Sequence, residues 1–227
     1  MTYQYRADYI GADKPAKVVL SEKFSTQIYR RIAKRVLDLF IVAIVSLPVV
    51  AVLLILGAIV ALDGHAPLYV QDRVGQGGRL FRLFKLRTMV PNADAVLEQA
   101  LASNPAVRAE WDEFQKLRYD PRITRIGRIL RKSSLDELPQ LLNVALGSMS
   151  IVGPRPIMDN QRDMYPGTEY FSMRPGITGF WQVSVRNESS FAERAQFDRS
   201  YFSQMSFATD VRVIGKTFAV VIRGTGV

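Results

Sequence analysis

Residues 39–62 read LFIVAIVSLPVVAVLLILGAIVAL. These 24 residues carry no charge. About 20 apolar residues in a helix reach through the hydrocarbon layer of a bilayer. The competing reading is a buried core helix, but soluble helices rarely run this far without a polar face. A cleaved signal peptide fits poorly, because the apolar run begins after 38 residues and exceeds the usual signal core. The sequence therefore predicts a membrane-inserted helix within residues 28–66, preceded by a loose polar tail over residues 1–27.

Basic residues flank the helix on both sides. Lys23, Arg30, Arg31, Lys34 and Arg35 lie upstream, and Arg73, Arg79, Arg82, Lys85 and Arg87 lie downstream. Lys and Arg concentrate on the cytoplasmic side of a membrane. A straight span would put one cluster outside, whereas a helix that enters, breaks and returns keeps both inside. Ser46-Leu47-Pro48 offers the break. Proline lacks an amide donor and clashes with the preceding turn, and a serine hydroxyl can satisfy a nearby carbonyl. On the residues alone, re-entry and a kinked span stand equal.

Composition narrows the chemistry. The chain has 227 residues, a formal net charge of +9, one histidine and no cysteine. Disulfides, thiolate nucleophiles and cysteine metal sites are excluded. A Ser-His-Asp triad would have to run through His65 alone. The charge favours anionic partners such as acidic lipid, phosphorylated substrates or nucleic acid. Nucleic acid drops out, because the basic residues track the membrane flanks and no aromatic-rich RNA-binding signature accompanies them.

Beyond the helix, residues 67–89, PLYVQDRVGQGGRLFRLFKLRTM, predict a hairpin around Gly-Gln-Gly-Gly. Residues 92–118 predict a packing helix, with Asn104 as an N-cap and Pro105 at a first helical position. In DPRITRIGRILRKS, residues 120–133, arginines recur at 122, 125, 128 and 131 between isoleucines. Such a helix suits an anionic membrane surface. Residues 206–223 predict a second interfacial helix.

Two carboxylates stand together in SSLDELPQLLNV, residues 133–144. Ser134 and Glu137 match a capping box. Pro139 would then disturb the first turns, so a helix start nearer Pro139 is equally consistent. Read as chemistry, Asp136 and Glu137 divide roles between nucleophile and hard-oxygen ligand for Mg²⁺. Arg131 lies upstream. Pro154-Arg155-Pro156 holds a guanidinium between rigid residues, which suits phosphate binding. Together these elements point to phosphoryl chemistry on a membrane surface.

LRKSSLDELPQLLNV, then SMSIVGPRP, with FKLRTM before them and RPGITGFWQVSVRN after them, resembles the bacterial sugar transferase family. These are monotopic phosphoglycosyl transferases that start exopolysaccharide assembly. The resemblance covers roughly residues 28–227. It implies an α/β, mainly helical fold, with a re-entrant membrane helix, interfacial amphipathic helices and a small cytosolic catalytic domain over residues 67–227. It also implies transfer of a sugar 1-phosphate, glucose or galactose, from a UDP-sugar to undecaprenyl phosphate with release of UMP. The expected location is the bacterial inner membrane, facing the cytoplasm among its lipids; a homo-oligomer is allowed. On this likeness Asp136 attacks phosphorus, Glu137 and Asp136 hold Mg²⁺, and Lys85, Arg87, Arg131, Pro154, Arg155, Pro156 and Arg186 line the substrate site. Three positions depart from the family pattern. Leu47 separates Ser46 from Pro48, Ser148 stands where an acid is common, and Val185 replaces a glycine before Arg186. The competing function is a non-catalytic, membrane-anchored anion-binding module.

Overall fold

A computed structural model describes residues 27–184 and 189–223. The expected tail lies outside these residues apart from Gln27, and Arg186 lies outside them too. The fold is α/β and mainly helical.

A π-helical turn, Tyr29–Ala33, leads into α1, Lys34–Ala61. Leu, Ile, Val and Ala dominate α1, so its backbone can satisfy its own hydrogen bonds where no water can. The helix continues through Pro48, and the Ser46 hydroxyl donates to the Ala43 carbonyl at 3.0 Å. Midway along α1 the apolar side chains stand clear of protein, with Leu47 82% and Leu54 70% exposed. Mean hydropathy over the best window is 3.2, and none of that window is buried. An apolar surface of this kind requires a non-aqueous partner.

The two ends of α1 behave differently from its middle. Near the start, Ile41 and Val42 pack against a core of Leu83, Val144, Met149, Val152, Met173, Tyr201 and Val213. Lys34 pairs with Asp210 at 2.5 Å. The Asp38 carboxylate accepts from the Ser150 hydroxyl at 3.0 Å and the Ile151 amide at 2.9 Å. Near the finish, Val60 is buried with Leu86 and Leu130, and Leu53 and Leu56 pack alongside. Both ends of the helix therefore rest on the same folded unit.

The expected hairpin is present. Strand β1, Leu68–Val74, pairs antiparallel with β2, Leu80–Leu86. Gly77 and Gly78, at φ 70° and 75°, let the chain reverse between them. Arg73 pairs with Phe81, Gln71 with Leu83 and Tyr69 with Lys85. Directly opposed residues share a face, so Arg73 and Lys85 lie on the same side of the ribbon.

Residues 92–118 differ from expectation. They form two helices, α2 (Ala93–Ser103) and α3 (Pro105–Phe114), and neither buries a residue. Asn104 is extended, and its side-chain oxygen accepts from the Ala106 and Val107 amides at 2.9 and 3.4 Å. A cap competes with helix continuation, which is why one helix becomes two.

Only part of the basic segment is helical, as α4, Arg125–Lys132. Arg122 is not on its polar face. It is buried in the preceding turn, joined to Asp120 at 2.6 Å and stacked over Trp111 at 5.2 Å. Thr124 caps α4 by accepting from the Gly127 amide at 2.9 Å. Gly127 meets the strand exit so closely that a Cβ there would lie 2.0 Å from the Thr88 carbonyl oxygen. Only glycine permits this approach, which brings Leu130 and Arg131 to the site. Ile129 on the opposite face is 68% exposed.

After α4 come a 3₁₀ turn (Leu135–Glu137) and α5 (Gln140–Leu146). Strand β3 (Ser150–Val152) pairs parallel with β4 (Gly176–Thr178). The described chain closes with α6 (Arg194–Gln204) and α7 (Phe207–Arg223), which leaves Phe207, Val211 and Phe218 exposed.

Candidate active site

The acid pair sits in a different local frame from a capping box. Ser134 adopts a left-handed conformation at φ 57° and makes no side-chain cap. Asp136 and Glu137 occupy the 3₁₀ turn, and Pro139 precedes α5 instead of falling inside it. The proline thus divides two short helical pieces, which resolves its apparent misplacement. A non-glycine residue at positive φ is strained and needs its surroundings to hold it. Asn143 supplies part of that hold. Its side chain accepts from the Phe84 amide at 3.0 Å and donates to the Arg82 carbonyl at 2.7 Å. This pins α5, and with it the acid turn, against β2.

Asp136 and Glu137 are 5% and 8% exposed. Two carboxylates in such a place require cations. Lys85 donates to Glu137 at 3.0 Å and its ammonium lies 3.9 Å from Asp136. Arg155 donates to Glu137 at 3.2 Å. Arg131 donates to the Thr88 hydroxyl at 2.9 Å, with its charge acting on Asp136. Burial pushes the Asp136 carboxyl above the ordinary aspartate range, while Lys85 is the strongest influence in the other direction. Burial likewise pulls Lys85 below the ordinary lysine range, opposed first by Glu137. The set is therefore a mutually compensated buried cluster of opposite charges.

The structure brings Asp136, Glu137, Lys85, Arg131 and Arg155 together. Pro154 and Pro156 frame Arg155: the Pro154 carbonyl accepts from the Gly176 amide at 2.8 Å, and the Pro156 carbonyl accepts from Arg73 at 3.3 Å. Arg87 goes elsewhere. It donates to Asp63 at 2.5 and 2.8 Å and to the Val60 and Ala66 carbonyls, locking the exit of α1. The family likeness places it at the substrate site with Lys85, but β2 ends at Leu86, so the side-to-side alternation of the strand does not carry on to Arg87. Ser46 and Pro48 sit within α1, remote in role from the cluster. Arg186 lies outside the described residues.

Two further arginines were missed by the motif reading. Arg73 borders the cleft beside Glu137, together with Gln140 and Pro156. Counting cross-strand pairs back from the hairpin turn would have put it on the face of Lys85. Arg194 stacks over Trp181 at 4.2 Å and over Phe191 at 4.9 Å. Burial lowers it to about 9, with Arg155 adding to the effect. Phe191 is a local neighbour, but nothing in the local sequence marks Arg194, since Trp181, Arg155 and Arg73 reach it from other segments.

Asp136 and Glu137 present hard carboxylate oxygens in a buried site. That donor type suits Mg²⁺, which typically takes one or two carboxylates and completes its shell with water and phosphate oxygens. No cluster of three or more His, Asp or Glu side chains occurs among the described residues. A purely protein-built metal cage is therefore not what these residues form.

A family model described as bacterial sugar transferase matches residues 29–224. The UDP-galactose-lipid carrier transferase of Erwinia amylovora is 46% identical over 86% of this chain and 42% of its own length. The exopolysaccharide production protein ExoY of Sinorhizobium fredii is 43% identical over 86% of this chain and 88% of its own. The undecaprenyl-phosphate galactose phosphotransferase of Salmonella typhimurium is 42% identical, again over 86% of this chain and 42% of its own. The chain thus spans less than half the length of two of these relatives and most of the third. Matched from the foot of its apolar helix almost to its C-terminus, this chain belongs to the bacterial sugar transferase family.

Proposed function

We propose that the protein transfers a sugar 1-phosphate, glucose or galactose, from a UDP-sugar to undecaprenyl phosphate. The single observation that carries this reading is the buried Asp136–Glu137 pair held among Lys85, Arg131 and Arg155. The Asp136 carboxylate attacks the phosphorus that bears the sugar. The bond from that phosphorus to the UMP oxygen breaks, and UMP leaves with the electron pair. A lipid phosphate oxygen then attacks the same phosphorus, and the aspartyl oxygen departs as carboxylate. Lys85, Arg131 and Arg155 offset the charge that crowds the phosphorus in both steps. Asp136 and Glu137 would hold Mg²⁺, which supplies further charge neutralisation at phosphate oxygens.

A lipid acceptor requires a catalytic unit on the membrane. The re-entrant reading of α1 is supported by both of its ends packing on one folded unit, since opposite ends of a straight span would be separated by the bilayer. Basic residues at both flanks support the cytoplasmic face of the inner membrane. Exposed Ile129 on α4 and Phe218 on α7, beside Arg and Lys, support interfacial helices. Cysteines introduced at positions 20 and 78 are expected to resist a membrane-impermeant thiol reagent in intact cells. Labelling of either one would rule out re-entry.

The activity test is UMP release over a panel of UDP-sugars, with undecaprenyl phosphate in nanodiscs and Mg²⁺ present. UMP release with UDP-glucose or UDP-galactose is expected; its absence across the panel would leave the anion-binding module in possession. Dependence on pH provides a second check. Asp136 must be ionised to attack, and burial raises its pKa. Activity should therefore fall with acidification at a higher pH than an ordinary aspartate would impose. Lys85→Gln removes the strongest opposing influence, so the acid limb of kcat/KM is expected to move further up in pH. A limb that stays in place would show that another group sets it.

A further inference from the structure

One half-buried cation beside the acid pair, Arg73, has no task in the proposed transfer. Arg73 leaves β1 and faces the cleft that Lys85, Glu137, Gln140, Arg155 and Pro156 also border. Its hydrogen-bond partners are neutral: the Pro156 carbonyl at 3.3 Å and the Gln71 side-chain oxygen at 2.5 Å. Its Nε is buried and makes no hydrogen bond. Among the described residues Arg73 forms no ion pair, while Glu137 is already engaged by Lys85 and Arg155. Burial first, and then the nearby charge of Arg155, together lower Arg73 to about 10, with the charge of Glu137 a weaker opposing influence.

A desolvated guanidinium without an anion of its own is costly to keep. Its planar fork matches a phosphoryl group and binds it through two parallel N–H bonds. A phosphate could come from two sources here, the nucleotide donor or the lipid acceptor. Placement separates them. Arg131 follows Leu130, which packs with Val60, Leu53 and Leu56 of the membrane helix. Arg73 lies on another side of the acid turn, where Pro156 and the strand residues Gly176 and Ile177 close the cleft. The Arg131 side therefore adjoins the second half of the membrane helix directly, whereas the Arg73 cleft reaches that helix only through the core that Leu83 and Ile177 share with Ile41 and Val42 near its start.

We infer that Arg73 is a substrate-binding residue for the donor, gripping the nucleotide phosphate that leaves as UMP while Asp136 attacks its neighbour. The inference rests on the phosphoglycosyl-transfer reading and adds a residue and a direction of approach to it. Donor phosphate enters over the hairpin face shared by Arg73 and Lys85, and acceptor phosphate arrives beside Arg131. Arg73 also steadies the Pro154–Pro156 turn through the Pro156 carbonyl, so the test must separate contact with phosphate from support of the loop.

The full chain in detergent micelles would be titrated with UDP and with uridine, and assayed for its KM toward undecaprenyl phosphate. Arg73→Gln is expected to weaken UDP roughly tenfold or more, the usual loss for a hydrogen bond to a charged group. Uridine affinity and the lipid KM should stay within about twofold of wild type, since neither ligand meets Arg73. Equal losses for UDP and uridine would assign Arg73 to loop support and overturn the inference. A change confined to the lipid KM would assign it to the acceptor and also overturn it. Should Arg73→Gln fail to fold, Arg73→Lys carries the same comparison: it retains the charge but lacks the fork, so UDP should weaken selectively. A wild-type protein that binds UDP no better than uridine would remove the nucleotide-donor reading itself. A wild-type preference for UDP that survives both substitutions would remove only the assignment of Arg73.

Discussion

Asp136→Asn is expected to lower UMP release by roughly 10³-fold or more, the scale seen when a covalent nucleophile is removed from an enzyme. Asparagine keeps the size of the side chain and its hydrogen-bonding oxygen but offers no carboxylate to attack phosphorus. The substitution is also expected to leave the fold intact. Burial already disfavours the ionised form of Asp136, and Glu137 beside it adds repulsion. A neutral isostere relieves both. Circular dichroism and thermal unfolding that match wild type, with UMP release lost, would locate the defect in chemistry. Wild-type turnover by Asp136→Asn would show that the covalent route is wrong.

Asp210→Ala is expected to produce the largest loss of stability. Asp210 is 1% exposed at the centre of a buried network. It accepts from Tyr29 at 2.6 Å, Lys34 at 2.5 Å and Tyr201 at 2.7 Å. Tyr29 and Lys34 belong to the foot of the membrane helix, Tyr201 to α6, and Asp210 itself to α7. Removing the carboxylate takes the direct partner from buried Lys34, leaving the more distant Asp38 to face its ammonium, and takes the acceptor from the Tyr29 hydroxyl. Breaking one partner of a buried pair costs about 3–5 kcal/mol. For a chain of this size that corresponds to a fall of roughly 10 °C in Tm. Asp210→Asn keeps an acceptor for the tyrosines and should lose less. A melting temperature unchanged in Asp210→Ala would show that the network does not anchor the helix.

These two sites differ in how they could be read. The acid pair announces itself, because two adjacent carboxylates in a basic chain stand next to a motif order specific to one family. Asp210 carries no such mark. It looks like one polar residue at the start of an amphipathic helix, and its role exists only once residues 176 and 181 positions away fold against it. Arg87 shows the opposite case. The family likeness of FKLRTM puts it at the substrate site, while in this fold the strand stops one residue earlier and Arg87 pairs with Asp63 at the exit of α1. At Ser134 the residues leave a capping box and a helix start nearer Pro139 equally open; the structure takes the second, with Asp136 and Glu137 in a 3₁₀ turn, Pro139 at the head of α5 and Ser134 left-handed.

By itself the sequence determined the elements whose causes are local. A charge-free apolar run makes a helix that water cannot satisfy, and a glycine turn between alternating strands makes a hairpin. The ordered motifs identify the family and its acid pair. Only the tertiary structure decided which cations reach those acids. Lys85 comes from a strand 52 residues before Glu137, and Arg155 from a turn 18 residues after it. It also decided that Arg73 joins them while Arg87 does not, and that both ends of the membrane helix rest on one unit. Convergence of this kind depends on register, on a glycine thin enough to let α4 touch the strand exit, and on buried charges finding partners across the chain. None of these is a property of a short window of residues.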